Sequence, residues 1–336
     1  MPSLVLREAI YVQALYLADR FRVLRTLDIA AACFPERPFK AALTAAQRAV
    51  RGMVQQGLLR RYKTERFQTV YGLTQRGAEW LGEHGVAASP SVRRVSDMTN
   101  PEHRLWAQFL VLAAEARGMT ALTESELLHR LSQTGKPTQG YLQVSVVRGG
   151  QTMPKMLRPD AVAFAANGRD VSWMEIDRSK RGADRLADLA ALLRAVGRPT
   201  VDGRVLRLVA VHGKTERIVL DAVRVVEQLA AAGNRQQLVP GRRHLRKLED
   251  GVYAVWAAVE RHGSDGRVGV EDRCVGHIVI QLLPTWLPKL RLSAQTAAHP
   301  PGWFDTNALP YQRPATLGPW APPVSPLLGH QASTPA

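Results

Sequence analysis

The stretch LRPDAVAFAANGRDVSWMEID, residues 157–177, decides the fold of the larger half of this chain. Two strand-like runs, 157–164 and 171–177, flank Asn167-Gly168, a dipeptide typical of tight β-hairpin turns. With these two residues at the centre of the turn, positions 166 and 169 pair. Asp160 is then predicted directly opposite Glu175.

Three carboxylates are predicted to converge on this hairpin. Asp177 lies two residues beyond Glu175 on its strand, so both side chains point to the same face as Asp160. Like charges opposed across a sheet are destabilising, and Mg²⁺ is commonly held by one or two carboxylates plus phosphate oxygens. The pattern therefore predicts a Mg²⁺ site, with Mn²⁺ as a substitute. The alternative is a strand-end acid cluster paired with neighbouring cations, which are Arg158, Arg178, Lys180 and Arg181.

Composition indicates the kind of partner. The 336 residues suffice for two domains, and 45 basic against 29 acidic residues give a net charge of +16. Such a field favours a polyanion such as nucleic acid, although a generally solvated basic surface is the alternative. Cys33 and Cys274 lack the spacing of a disulfide framework or a zinc site. No apolar run is long enough for a membrane span, so we expect a cytoplasmic protein without a membrane partner.

Residues 1–84 follow the order helix, helix, helix, hairpin, helix, which is the order of a winged helix-turn-helix domain. Ala46, Val50, Met53 and Val54 form the apolar stripe of the third helix. The polar face of that helix and the basic hairpin are predicted to contact DNA bases and phosphates. The alternatives are a solvated surface or a surface that binds protein. The predicted DNA-binding residues are Gln47, Arg48, Arg51, Gln55, Arg60, Arg61, Lys63 and Arg66.

The remainder of the chain is predicted as a linker, a second domain and a tail. Residues 85–99 have the composition of a linker, and Asn100-Pro101-Glu102 has the signals that open a helix. From there the pattern predicts the order αβββαβα up to residue 232. Residues 238–297 extend this domain, either by adding to its sheet or by capping it. Residues 298–336 are rich in proline and are expected to be unfolded.

An αβββαβ order with Pro159-Asp160 on one strand and Glu175-x-Asp177 on the next resembles the PD-(D/E)xK nuclease superfamily. The fold class implied is mixed α/β and α+β, a winged helix followed by a restriction-endonuclease-like domain. The segments RPDAV and MEIDRSKRG, preceded by a winged helix and a linker, are similar to the replication-relaxation family of plasmid and integrative-element proteins. The resemblance covers roughly residues 1–230.

The resemblance implies roles for individual residues. Asp160 and Glu175 fall on the two metal-binding acids of the superfamily, whereas Asp177 occupies the position where a lysine normally activates the attacking water. Lys180 is the candidate replacement for that lysine. The implied function is binding of double-stranded DNA in plasmid replication or conjugative mobilisation, with a relaxase or replication protein as a candidate partner. The alternatives are a Mg²⁺-dependent nickase or endonuclease and a transcriptional regulator.

Overall fold

The computed structural model describes residues 3–63, 69–90, 101–177, 182–233, 241–262, 268–282, 323–325 and 327. The chain divides into two compact units, one containing Met1–Gly118 and the other Met119–Leu283. The protein is a mixed α/β protein. In its described part, no helix is both long and apolar enough to cross a membrane.

The first unit is helical, with one short β-hairpin. Its hairpin is joined by an isolated bridge from Leu24, which precedes the second helix, to Tyr71 on the second strand. Thr74 caps the helix after the hairpin by accepting a hydrogen bond from the Gly77 N–H at 2.9 Å. The elements are α1 (Ser3–Phe21), α2 (Thr26–Cys33), α3 (Phe39–Gln55), β1 (Leu59–Lys63), β2 (Thr69–Leu73), α4 (Gln75–Glu83) and α5 (Pro101–Glu115).

The apolar stripe of α3 holds this unit together. Ala46, Val50 and Met53 are buried as predicted, and Val54 is half-buried at the edge of the stripe. Gly57 takes a left-handed conformation with φ of 71°, as expected for a residue that ends a helix. The stripe leaves the opposite face of α3 in solvent, and that face carries the predicted DNA-binding side chains.

Helix α5 packs against α2 in the first unit, whereas its capping signals suggested that it opens the second domain at residue 100. The physical reason is a buried polar network. Arg25 and Asp28 form an ion pair at 2.6 Å, and both side chains are almost fully buried. The Arg25 guanidinium also donates to the Leu105 carbonyl oxygen, and Gln108 donates to Asp28. The described boundary therefore falls near residue 118 rather than residue 100.

Part of the C-terminal tail is folded, which corrects the expectation that residues 298–336 are all unfolded. The Val324 N–H donates to the Ala116 carbonyl oxygen at 2.9 Å. The Ser325 hydroxyl donates to the Cys33 carbonyl oxygen at 2.6 Å, and Leu327 is buried. These contacts bury side chains that composition alone assigned to solvent. The rest of that tail, and residues 91–99 of the predicted linker, lie outside the described residues.

The second unit is built on a mixed sheet of seven strands in its described part, in the order β3-β6-β7-β8-β11-β10-β9. Strands β7, β8 and β11 are parallel neighbours, and the remaining pairs are antiparallel. The elements are β3 (Thr120–Thr123), α6 (Glu124–Gln133), β4 (Leu142–Arg148), β5 (Gln151–Leu157), β6 (Ala161–Phe164), β7 (Asp170–Asp177), α7 (Ala183–Arg194), β8 (Val205–Gly213), α8 (Glu216–Gly233), β9 (Arg243–Glu249), β10 (Val252–His262) and β11 (Val268–Leu282).

The hairpin register predicted from Asn167-Gly168 is confirmed. Ala161 pairs with Met174 and Val162 with Trp173, so position 160 aligns with position 175 one step beyond the ladder. The predicted continuous strand over 157–164 is wrong, because β5 ends at Leu157 and pairs with β4 in a separate two-stranded sheet. Only β6 continues into the main sheet.

The predicted order αβββαβα omits several elements of the second unit. Strand β3 and helix α6 precede the β4–β5 hairpin, and residues 243–282 supply three strands of the main sheet. Strand β11 runs parallel to β8, so the C-terminal extension completes the sheet rather than capping it. Its apolar residues are buried on both sides of the sheet, as expected for central strands.

One face of the sheet packs against α7 and α8 around Trp173, which is 1% exposed. The β4–β5 hairpin is held on α7 by two cations that bind one carboxylate. Arg148 donates to Asp188 at 2.9 Å, and Lys155 donates to the other carboxylate oxygen at 2.6 Å. This arrangement fixes the segment that leads into Asp160.

Candidate nucleic-acid interface and carboxylate pair

A groove of about 460 Å³ lies between α3 and the β1–β2 hairpin of the first unit. Its lining includes four of the eight residues that the sequence predicted to contact DNA. The lining consists of Thr26, Gln47, Val50, Arg51, Val54, Gln55, Arg61 and Tyr71.

One wall of the groove is the polar edge of α3. Gln47, Arg51 and Gln55 follow one another at four-residue spacing, so they stack on one side of the helix, and all three are exposed. Val50 and Val54 supply apolar surface beneath them. This wall combines two amides and a guanidinium, which are the side chains that read purine edges and bind phosphates.

The other wall is one face of the hairpin. Arg61 pairs with Tyr71 across the two strands, so their side chains share a face. The N–H of Tyr71 donates to the Leu24 carbonyl oxygen, and the Leu24 N–H donates to that of Tyr71, both at 2.8 Å. This pair of bonds fixes the backbone that carries the ring. The Arg61 guanidinium is exposed and reaches Thr69 at 3.5 Å.

Alternation along β1 separates the predicted wing residues. Arg60 is directed to the face opposite Arg61, where its guanidinium lies 5.6 Å from the centroid of the Tyr62 ring. The two arginines therefore lie on different faces of the hairpin, and of the two Arg61 lines the groove. Lys63 shares the face of Arg61 and is exposed, but it does not line the groove. Arg66 lies outside the described residues.

The residues that line the groove differ in two further respects from those predicted to contact DNA. Arg48 is exposed but lies about 100° around the helix from Gln47 and does not line the groove. Thr26 and Tyr71 line the groove and were not predicted. The sequence signal for Tyr71 is its position opposite Arg61 when the two strands of the hairpin are paired. Thr26 has no such signal, because it lies on α2 and reaches the groove through the tertiary fold.

The carboxylates of the second unit are engaged in local hydrogen bonds. Asp160 accepts a hydrogen bond from the Ile176 N–H at 2.6 Å, and Glu175 accepts one from the Trp173 indole N–H at 3.1 Å. The first of these bonds ties the loop before β6 to β7 and so maintains the predicted alignment of the two acids. Asp177 lies further along β7 and is 6% exposed.

The three acids do not form the predicted metal-ligand set. Among the described residues, no group of three histidine, cysteine, aspartate or glutamate side chains is arranged to hold a metal ion. The donor type of Asp160 and Glu175 alone fits Mg²⁺, which often takes only one or two carboxylates and completes its shell with water and phosphate. Lys180, the candidate base, lies outside the part of the chain that the structure describes.

Comparison of the chain with models of protein families, with curated proteins and with solved structures found no match.

Proposed function

We propose that this chain is a DNA-binding protein whose first unit is a winged helix. The observation that carries the proposal is the groove in which Arg51 and Arg61, from two different elements, face the same space beside Gln47 and Gln55. The order of elements supports it, because a strand-like bridge at Leu24, the helices α2 and α3, and a two-stranded hairpin follow in winged-helix order. The net charge of +16 supplies the long-range attraction to a polyanion.

In this proposal both α3 and the β1–β2 hairpin contact the DNA. The amides of Gln47 and Gln55 contact base edges, and the guanidinium groups of Arg51 and Arg61 contact phosphates or guanine. The second unit, with its restriction-endonuclease-like hairpin, holds adjacent double-stranded DNA or a protein partner such as a relaxase. The role that fits these parts is plasmid replication or conjugative mobilisation in the cytoplasm.

The test is equilibrium binding of the full chain to a labelled random-sequence duplex, measured by fluorescence anisotropy at fixed salt. Arg51→Ala and Arg61→Ala are each expected to weaken binding by about 5- to 150-fold, the loss expected for charged groups that contact phosphate or a guanine edge. Arg7→Ala and Arg224→Ala are matched controls, because both arginines are exposed and lie outside the groove. Loss of affinity that is equal for all four variants would mean that only net charge matters.

A second candidate function is a Mg²⁺-dependent nickase or endonuclease, favoured by the alignment of Asp160 with Glu175. These two carboxylates would hold the ion, and bound Mg²⁺ would supply polarisation of the phosphodiester and a more acidic water. The hydrogen bond from Ile176 to Asp160 orients one carboxylate toward the strand that bears the other. Asp177 occupies the position of the usual lysine, so any positive group there would have to come from elsewhere in the chain.

The test of this second candidate is incubation of the protein with supercoiled plasmid, with Mg²⁺, with Mn²⁺ and without metal. A nuclease predicts metal-dependent relaxation that Asp160→Asn and Glu175→Gln abolish and Asp221→Asn leaves intact. Asp221 is the control because it is an aspartate on α8, outside the hairpin. Retardation of DNA in a gel without cutting at any metal concentration would refute the nuclease and support DNA binding as the function.

A further inference from the structure

The groove is a pocket, and its shape limits what can enter it. An α-helix with its side chains is about 10–12 Å across and fills a DNA major groove about 12 Å wide. The paired bases of an intact duplex therefore present only their edges to the exposed side chains of α3, including Gln47 and Gln55, and no whole base enters the space between α3 and the hairpin. The pocket volume of about 460 Å³ lies in the range of small-molecule sites, about 300–1,000 Å³.

The chemistry of the lining matches the parts of one nucleotide. Arg51 and Arg61 stand on opposite walls, where a phosphate between them would receive donors from both sides. Tyr71 lines the groove and supplies an aromatic ring of the kind on which bases stack, and its backbone is fixed by the bridge to Leu24. Val50 and Val54 provide an apolar floor, and the amides of Gln47 and Gln55 can each donate to and accept from a base edge.

We propose that this pocket binds one unpaired nucleotide of a DNA strand, with its base against Tyr71 and its phosphate between Arg51 and Arg61. This inference rests on the proposed DNA-binding function, and it adds that the protein prefers DNA with an unpaired nucleotide to fully paired DNA. A duplex that already carries an unpaired nucleotide avoids the cost of unpairing a base, so it binds more tightly than a fully paired duplex.

The experiment compares the full chain on two labelled duplexes of the same sequence, one fully paired and one with a single-nucleotide bulge. The bulged duplex is expected to bind about 5- to 150-fold more tightly, the range for stacking one base on an aromatic side chain. Tyr71→Leu removes this preference, so that the variant binds the bulged and the paired duplex with equal affinity; a circular-dichroism spectrum and melting temperature equal to those of the unmodified chain show that the variant is folded. Tyr71→Phe retains the preference, because stacking needs the ring and not the hydroxyl.

Tyr16→Leu is the matched control, since Tyr16 is an exposed tyrosine on α1 of the same unit. A preference for the bulge that persists in Tyr71→Leu would come from the flexibility of the DNA and would overturn the inference. Equal affinity of the unmodified chain for both duplexes would also overturn it, while leaving the proposed function intact. Binding to neither duplex would refute the proposed function itself.

A further experiment distinguishes a nucleotide within a DNA strand from a free nucleotide, since both carry a base and a phosphate. Deoxyguanosine monophosphate is added as a competitor to the complex with the bulged duplex. Competition only at concentrations far above those of the bulged duplex supports a site for a nucleotide within a strand. Tight, Tyr71-dependent binding of the free nucleotide without any bulge preference would overturn the strand assignment.

Discussion

Removal of the Asp28 carboxylate is predicted to unfold the first unit locally and to release α5 together with α2. Asp28 is fully buried and accepts hydrogen bonds from the Arg25 N–H, from the Arg25 guanidinium and from Gln108. Asp28→Ala leaves the Arg25 charge, 5% exposed, without its counter-charge. Breaking a buried pair in this way costs about 3–5 kcal/mol in free energy of unfolding.

The assay is amide hydrogen exchange of the full chain, followed by mass spectrometry of peptides from α2 and α5. A loss of about 3 kcal/mol speeds the exchange of the best-protected amides by roughly 150-fold. Asp221→Ala is the matched control, because the Arg224–Asp221 pair has the same three-residue separation but an arginine side chain that is 70% exposed. That exposed pair contributes about 0–1 kcal/mol to the free energy of unfolding, so its loss changes the rate of hydrogen exchange little.

The reasoning is refuted if α5 keeps its protection while α2 loses it. That result would mean that α5 belongs with the second unit, as its position after the predicted linker first suggested. A change in Asp28→Ala no larger than in Asp221→Ala would instead show that the buried pair contributes little.

Three further predictions follow from individual residues. Gly77→Ala is expected to lower the free energy of unfolding of the first unit by about 1–3 kcal/mol, since a Cβ there would clash with the Leu58 carbonyl oxygen. Gly82→Ala on the same helix meets nothing within 4 Å and is expected to raise that free energy by about 0.4–1 kcal/mol; urea denaturation of both variants measures the contrast. Burial raises the pKa of the Cys33 thiol to about 12, so thiol reagents at pH 8 should label Cys274 and leave Cys33 until the chain unfolds. That pKa is higher in the folded than in the unfolded chain, so the contribution of Cys33 to stability is fully present below about pH 9 and falls as the pH rises toward 12. Denaturation measured against pH should therefore give a flatter stability profile for Cys33→Ala than for the unmodified chain.

The hairpin of the second unit could be predicted from sequence because its information is local. Asn167 accepts hydrogen bonds from the Arg169 and Asp170 N–H groups, and Gly168 adopts a φ of 64°. A turn of this kind fixes the register, and the register fixes which carboxylates face each other. Their hydrogen bonds to Ile176 and Trp173 depend on side-chain conformation, which spacing does not specify.

The assignment of α5 could not be read from sequence because the contacts that decide it are distant. Capping signals at Asn100-Pro101 mark where a helix begins, but not what it packs against. The partners of α5 in the buried network, Arg25 and Asp28, lie about 80 positions earlier in the chain. Similarly, the run VYAVWAAV in β10 is continuously apolar, and periodicity alone does not distinguish a buried strand from a buried helix.

The candidate DNA-binding surface was half predictable. The apolar stripe of α3 placed Gln47, Arg48, Arg51 and Gln55 on the opposite, polar face, and the three of them at four-residue spacing, Gln47, Arg51 and Gln55, line the groove. Counting basic residues on the hairpin grouped Arg60 with Arg61, although alternate strand residues point to opposite faces. The place of Tyr71 in the site depends on its pairing with Arg61 across the hairpin and on its bridge to Leu24, and a count of basic residues detects neither.

The salt dependence of DNA binding tests the central claim most directly, because each phosphate that the protein neutralises releases counterions. The slope of the logarithm of the binding constant against the logarithm of salt concentration becomes shallower by about 0.9 for each phosphate that is no longer neutralised. The account predicts that the double variant Arg51→Ala, Arg61→Ala has a slope shallower than the unmodified chain, by roughly 0.9 where both guanidinium groups share one phosphate and by roughly 1.8 where each binds its own, whereas Arg7→Ala with Arg224→Ala leaves it unchanged. An unaltered slope in the groove variant would show that these two guanidinium groups do not bind DNA phosphates.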